Sequence, residues 1–388
     1  MMTPPVFPTD RSGKMNNRAQ AVTVNGQHRS NKRPPHVPHE TTPPSPLLVK
    51  FRSSRDQNWE FEAILGHIVE FSKDQYGSRF IQQTLEKADL ERKETLFAEI
   101  APNHINPLLR HVIQKFLDYG TEVQIATIVT LVEDQAYELS LDIYGCRVVQ
   151  KAIETVSKDH QKTIISKLEP EIFDCIRHSN GNHVIQKLVE VVDPSLLTFL
   201  PFISENLCTL AKHPYGCRVL QRCLEHLSVK HSQDILDAVH TNVVELMEDQ
   251  YGNYVIQFII QNGRVHDQTK IMNKICSDFI NLGRHKYASN VCERALVCAD
   301  SDLRARMINE LLRGDPRDFK QESPLSIMVK DQYGNYVLQQ ALRVAEGEQK
   351  RNLSELLPPL LSFLQETTTN YSRSITSSKS GGVFRCWL

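Results

Sequence analysis

A small polar residue followed four positions later by an amide or acid recurs along this chain. The pairs are Ser78 with Gln82, Cys146 with Gln150, Asn182 with Gln186, Cys217 with Gln221, Asn253 with Gln257, Ser289 with Glu293, and Asn335 with Gln339. On a helix, such residues lie one turn apart on the same face, with Cβ atoms roughly 5–6 Å apart. Two polar groups that close can meet the edge of one flat heterocycle. The residue after each first letter is Arg79, Arg147, His183, Arg218, Tyr254, Asn290 or Tyr336, all planar groups. It is turned about 100° away on a helix, where a flat side chain can stack on a base face. Edge letters with a stacking letter between them suit single-stranded RNA read at one base per repeat.

The elements that must position these letters are themselves periodic. The letters sit in a cassette, Tyr-Gly-x-x-Val/Phe-x-Gln, seen most fully from Tyr76, Tyr144, Tyr251 and Tyr333. From Cys146 the first letters advance by 36, 35, 36 and 36 residues to Ser289. A fixed period in this range marks a solenoid or array. Each period carries apolar helical stretches, and the cassette continues as a helix, with Val255, Ile256, Ile259 and Ile260 on one face behind Asn253, Tyr254 and Gln257. The glycine before the letters is expected to make a turn at positive φ. The fold expected is an all-α solenoid of eight stacked copies, which can be long without several separate cores. Residues 45–65, with Leu47, Leu48, Phe51, Phe61, Ile64 and Leu65, are expected to cap its start. Residues 352–376, with Leu353, Leu356, Leu357, Leu360, Leu361 and Phe363, are expected to cap its end. Residues 1–44 hold eight of the nineteen prolines and few apolar groups, so they read as a disordered leader, and 377–388 as a disordered tail.

Composition narrows the function class. The net charge is −1 and the sequence pI about 6.9, so binding to nucleic acid by charge alone is excluded as the main device. The nine cysteines form no CxxC pair or zinc-type spacing, which suits a reducing compartment and no metal or other cofactor. No apolar run approaches a membrane span and no secretory signal opens the chain, so a cytosolic or nuclear protein is expected and the Asn352-Leu353-Ser354 sequon stands idle. No P-loop, GxSxG or HExxH signature is present, so no enzyme and no small-molecule substrate are expected. A single surface Asn or Gln is ordinarily a solvated side chain. Seven intact sets in register reverse that default, because a purely structural repeat would keep its apolar letters and let these drift. The competing class, a protein-binding armadillo or HEAT-like solenoid scaffold, predicts varied letters here. The residue after the third letter is basic in five copies, Lys115, Lys151, Lys187, Arg222 and Arg294, which reads equally as a phosphate-tracking stripe or a solvated rim.

On these letters, residues from about 45 to 376 resemble the Pumilio family of RNA-binding proteins. The resemblance implies a right-handed, crescent-shaped α-solenoid of eight Pumilio-type repeats of ~36 residues with N- and C-terminal caps. It implies that Asn with Gln reads uracil, Ser or Cys with Gln reads adenine, and Ser with Glu reads guanine. The chemistry agrees: an ionised Glu is acceptor-only and faces guanine's two adjacent donors. With the last copy on the 5′ base, the implied site is 5′-UGUAUANA-3′. The N belongs to the second copy, where alignment puts Arg110, His111 and Gln114 at the letter positions. That copy begins only 32 residues after Ser78, and Pro107-Leu108-Leu109 replaces Tyr-Gly. Arg110 has no acceptor, so selection there is expected to relax while His111 still stacks; the blander reading, and the favoured one, is that the shortening comes from a truncated gene model. The step from Ser289 to Asn335 is 46 residues, and the extra ones form a polar loop near 313–324. The resemblance further implies binding to 3′ untranslated regions of mRNAs in the cytoplasm, and recruitment of deadenylase or repressor proteins, with the 313–324 loop as one docking place.

Overall fold

The computed structural model describes residues 43–54, 59–101, 109–314, 318 and 321–372, with side chains to 366. The expected leader, apart from residues 43–44, and the expected tail lie outside the described residues. By internal contacts the chain divides into Met1–Ser45 and Pro46–Leu388, and everything below concerns the second unit.

The described residues of that unit form helices and no strands. A typical copy has three. A short helix such as Val243–Met247 leads into a cassette helix, here Gly252–Asn262, and a longer outer helix, Val265–Ser277, follows. The eight cassette helices are Gln75–Lys87, Arg110–Tyr119, Gly145–Thr155, Gly181–Val191, Gly216–His226, Gly252–Asn262, Ala288–Cys298 and Gly334–Val344. Each packs on the next, so the letters of successive copies share one continuous row. In the fourth copy, a 3-10 turn at Pro194–Leu196 and the helix Leu200–Glu205 stand where other copies have one longer outer helix.

One core runs through the stack. Each cassette helix gives it the apolar residues flanking the letters, such as Val184, Ile185 and Leu188, all fully buried. The two ends are covered as the sequence suggests. In the helix Pro46–Ser53, Phe51 lies 5.1 Å from Phe71 and 5.6 Å from Phe80 between ring centroids. Leu48, Phe61 and Ile64 are buried with it, whereas Leu65 is exposed. At the other end, Leu353, Leu356, Leu357 and Leu360 of the helix Gly347–Ser372 are buried, and Leu361 and Phe363 half-buried.

The cassette glycine is there for a different reason from the one expected. Among the described residues, the glycines with positive φ are Gly66, Gly314 and Gly347, none of them in a cassette. Gly145 and Gly252 instead open their helices where the chain presses against the preceding short helix. A Cβ on Gly145 would lie 2.7 Å from the Leu139 carbonyl oxygen, and one on Gly252 would lie 2.9 Å from that of Leu246. Close helix approach, not backbone freedom, selects the residue. The seventh copy has Ala288 at this place, fully buried.

Candidate nucleic-acid interface

The three letters take up the same three environments in every intact copy. First letters are buried: none of Ser78, Cys146, Asn182, Cys217, Asn253, Ser289 and Asn335 exposes more than 4% of its surface. Second letters are exposed, Tyr254 by 45% and Tyr336 by 42%. Arg79, Arg147, His183, Arg218 and Asn290 are exposed likewise, and the third letters are half-buried. A polar shelf thus lies at the base of each copy with a flat group standing beside it.

Each letter pair has its own hydrogen bonding. In the Asn copies, the Gln amide donates to the Asn Oδ1, at 2.8 Å in Gln186–Asn182 and Gln257–Asn253 and 3.2 Å in Gln339–Asn335. In the Cys copies, the Gln amide turns back to the letter's own backbone carbonyl, 2.9 Å from Cys146 and 3.0 Å from Cys217. Gln82 does both, reaching Ser78 O at 3.1 Å and Ser78 Oγ at 3.0 Å. Arg147 also donates to Gln150 Oε1 at 3.3 Å. Burial pushes the Cys146 and Cys217 thiols above their ordinary pKa against the pull of Arg147 and Arg218. They stay protonated, as small and weakly polar letters rather than nucleophiles.

The seventh copy differs in charge. Ser289 Oγ donates to Lys286 O at 3.3 Å and leaves Glu293 to itself. Burial raises the Glu293 pKa, against the pull of Arg343 and Arg294. A desolvated carboxylate is a strong acceptor for a ligand with two donors. His111 and His183 are pushed down by burial first and then by Arg110 and Arg147, which favours neutral rings fit for stacking.

The second copy departs from its siblings in structure as in sequence. Its cassette helix starts at Arg110 itself, with no side-chain cap at Leu109. Arg110 is half-buried, and its guanidinium lies over the Tyr144 ring of the third copy, 4.1 Å from the centroid. The first-letter side chain is thereby drawn sideways onto a neighbour. His111 is exposed and Gln114 half-buried, as in intact copies. Residues 102–108 lie outside the described residues, as does part of the 313–324 loop.

Four of the five basic residues after the third letters have carboxylate partners. Lys115 pairs with Glu86, Lys151 with Asp118 at 2.6 Å, and Lys187 with Glu154 at 2.9 Å. Each acid lies on the cassette helix of the preceding copy. Arg222 pairs within its own helix, with Glu225 at 2.8 Å. Lys115, Lys151 and Lys187 therefore link adjacent copies rather than standing open for phosphates, while Arg222 is held within its own helix.

One set of residues was missed in the sequence. Four positions before the first letter stand Asp74, Asp142, His178, His213, Asp249, His285 and Asp331. Each accepts two backbone N–H groups that open the cassette helix. Asp142 Oδ1 takes those of Tyr144 at 2.8 Å and Gly145 at 2.6 Å. His213 Nδ1 takes those of Tyr215 at 3.3 Å and Gly216 at 3.4 Å. The first N–H groups of a helix have no partner within it, and such acceptors satisfy them. Burial works against ionised Asp74, yet the N–H of Gly77, the Arg52 guanidinium and the N–H of Tyr76 hold its pKa below the usual value. Aligning the copies would have exposed the position; its alternation between Asp and His hid it.

The Pumilio-family RNA binding repeat matches eight segments of the chain: 67–101, 111–132, 135–169, 172–200, 206–240, 242–276, 278–312 and 328–356. The chain belongs to that family of RNA-binding, non-catalytic repeat proteins. The second match is the shortest, in keeping with the reduced second copy. Pumilio homolog 12 of Arabidopsis thaliana is 31% identical over 330 residues, covering 81% of this chain and 53% of the relative. A Pumilio domain-containing protein of Schizosaccharomyces pombe is 28% identical over 313 residues, covering 78% of this chain and 44% of the relative. The chain spans about half the length of these curated relatives. Among solved structures, the Puf3 RNA binding domain bound to a Cox17 RNA 3′ UTR recognition sequence is 34% identical with a TM-score of 0.70, covering 83% of this chain and 96% of that one. PUF-8 in complex with PBE-RNA is 33% identical with a TM-score of 0.72, covering 82% of this chain and 95% of that one.

Proposed function

We propose that this chain binds single-stranded mRNA with sequence choice, at 3′ untranslated elements of the type 5′-UGUAUANA-3′, and represses the bound transcripts or promotes their decay. The observation that carries this is the threefold regularity of the letters. Seven copies in one row bury the first, expose a planar second, and hold the third at the edge of a polar shelf. Ser78, Cys146, Asn182, Cys217, Asn253, Ser289 and Asn335 act with Gln82, Gln150, Gln186, Gln221, Gln257, Glu293 and Gln339 on base edges. Arg79, Arg147, His183, Arg218, Tyr254, Asn290 and Tyr336 stack between bases. Support also comes from the two solved neighbours, both complexes with RNA. Residues 45–376 form the RNA-binding domain, flanked by a leader at 1–44 and a tail at 377–388. The bound transcripts are cytoplasmic, and deadenylase or repressor proteins dock in part on the 313–324 loop. The decisive experiment is selection from randomised RNA. Enrichment of a UGUA core is the expected result, and a selected pool without it refutes the reading.

A further inference from the structure

We propose that the residue four before the first letter in the three Asn copies, His178, Asp249 or Asp331, is a positioning residue for base choice, one that sets the Asn amide's hydrogen-bonding face without touching RNA. The proposal rests on the RNA-reading function above. The sixth copy shows the chain of bonds. Asp249 Oδ1 accepts from the N–H groups of Tyr251 and Gly252, both at 2.8 Å. This fixes the first turn, in which the Asp249 carbonyl accepts from the Asn253 backbone N–H at 3.2 Å. That carbonyl also accepts from Asn253 Nδ2 at 2.8 Å, and the Gln250 carbonyl accepts from the same nitrogen at 3.0 Å. With its amide nitrogen spent on two carbonyls, Asn253 can turn only its oxygen toward Gln257, whose Nε2 donates to it at 2.8 Å. The cap thereby decides which way both amides face.

The same construction recurs in the eighth copy. Asp331 Oδ1 accepts from Tyr333 N at 2.9 Å and Gly334 N at 2.8 Å. Asn335 Nδ2 donates to the carbonyls of Asp331 at 2.9 Å and Gln332 at 3.0 Å, and Gln339 donates to Asn335 Oδ1 at 3.2 Å. In the fourth copy His178 is the cap, with Asn182 Nδ2 on its carbonyl at 2.7 Å. If the first turn frays, Asn can flip its amide, and the pair loses its fixed order of donor and acceptor. An amide with either end outward discriminates poorly between a base edge that offers two carbonyl acceptors flanking an N–H donor and one that does not.

The test uses the full chain and RNAs varied one base at a time within 5′-UGUAUAAA-3′. Asp249→Ala is expected to lower the preference for uracil over cytosine at the third base by roughly fivefold, the worth of one lost helix cap. The uracil preference at the first base, read by the eighth copy two places along the row, should hold, since each copy contacts chiefly its neighbours. Asp249→Asn keeps a side-chain oxygen for the two N–H groups and should restore the third-base preference, which a loss of charge or of general stability would not. An unchanged third-base ratio in Asp249→Ala, or an equal fall in affinity for all RNAs with ratios intact, overturns the proposal. Should Asp249→Ala not fold, Asp331→Ala at the end of the row provides the same comparison at the first base. Wild-type protein in the same titrations separates the two ideas. No preference at any base refutes the RNA-reading function, while wild-type preference with a silent Asp249→Ala refutes only the positioning role.

Discussion

The seventh copy offers the sharpest test of the letter assignment. Replacing Ser289 by Asn and Glu293 by Gln installs the pair found in the fourth, sixth and eighth copies. There the Gln amide rests on the Asn oxygen at 2.8 to 3.2 Å, and the same geometry is available on the helix Ala288–Cys298. The acceptor-only carboxylate, set against two guanine donors, becomes a mixed edge with a donor facing a donor. A good bidentate contact discriminates by roughly 1–3 kcal/mol, which is about 5- to 150-fold in affinity. Fluorescence polarisation with 5′-UGUAUAAA-3′ and 5′-UUUAUAAA-3′ should show the preference inverted. A double variant that still prefers the guanine RNA would refute the register. The single change Glu293→Gln adds a second reading in the opposite direction. Burial raises the Glu293 pKa above 4.5, so the stability it contributes is present below that value and lost as pH rises through the folded pKa. At neutral pH the ionised form burdens the fold. The variant should therefore melt no lower than wild type while binding the guanine RNA more weakly.

Tyr254→Ala and Tyr336→Ala should each weaken binding by about 1–3 kcal/mol without altering which base is chosen, and unchanged titrations for both would remove these rings from the interface. The seventh base, opposite the second copy, should tolerate all four bases with near-equal affinity, because Arg110 is laid on Tyr144 instead of facing the base; a uracil preference as sharp as the sixth copy's would show that another residue reads there. His213 caps its helix only when neutral, and burial, with Arg177 nearby, lowers its pKa below 6.5. Its stabilisation is present above 6.5 and lost as pH falls through the folded value, so melting temperature should drop on acidification toward pH 5 by more in wild type than in His213→Asp, and parallel profiles would refute the neutral-cap argument.

The letters, the period and the helical nature of each copy were legible because they are written in local spacing. Asn253, Tyr254 and Gln257 declare a helix face wherever Val255 and Ile256 declare its back. The role of Gly145 was not legible, since its cause is a carbonyl six residues earlier, at Leu139, brought close only by packing. The caps at Asp249 and His213 were hidden by chemistry: a carboxylate and an imidazole look unlike in sequence, yet each places one acceptor atom at the same reach. The basic residues after the third letters were visible, but their meaning depends on Glu86, Asp118 and Glu154 in the copy before. A lysine's partner lies roughly 30 residues away, which is a tertiary fact.

Those same lysines bear on how the protein searches a crowded pool of transcripts. Non-specific affinity for nucleic acid comes mainly from cations that displace counterions from phosphates, and it falls steeply with salt. Here Lys115, Lys151 and Lys187 are neutralised within the protein, and the chain as a whole carries a charge of −1. These three lysines then add little to the hold on an arbitrary strand, which gains chiefly from the stacking letters, among them the exposed Arg79, Arg147 and Arg218. Residence should be longest for strands whose bases also satisfy the shelf, and replacing any of these three lysines by Met should change the salt dependence of binding little.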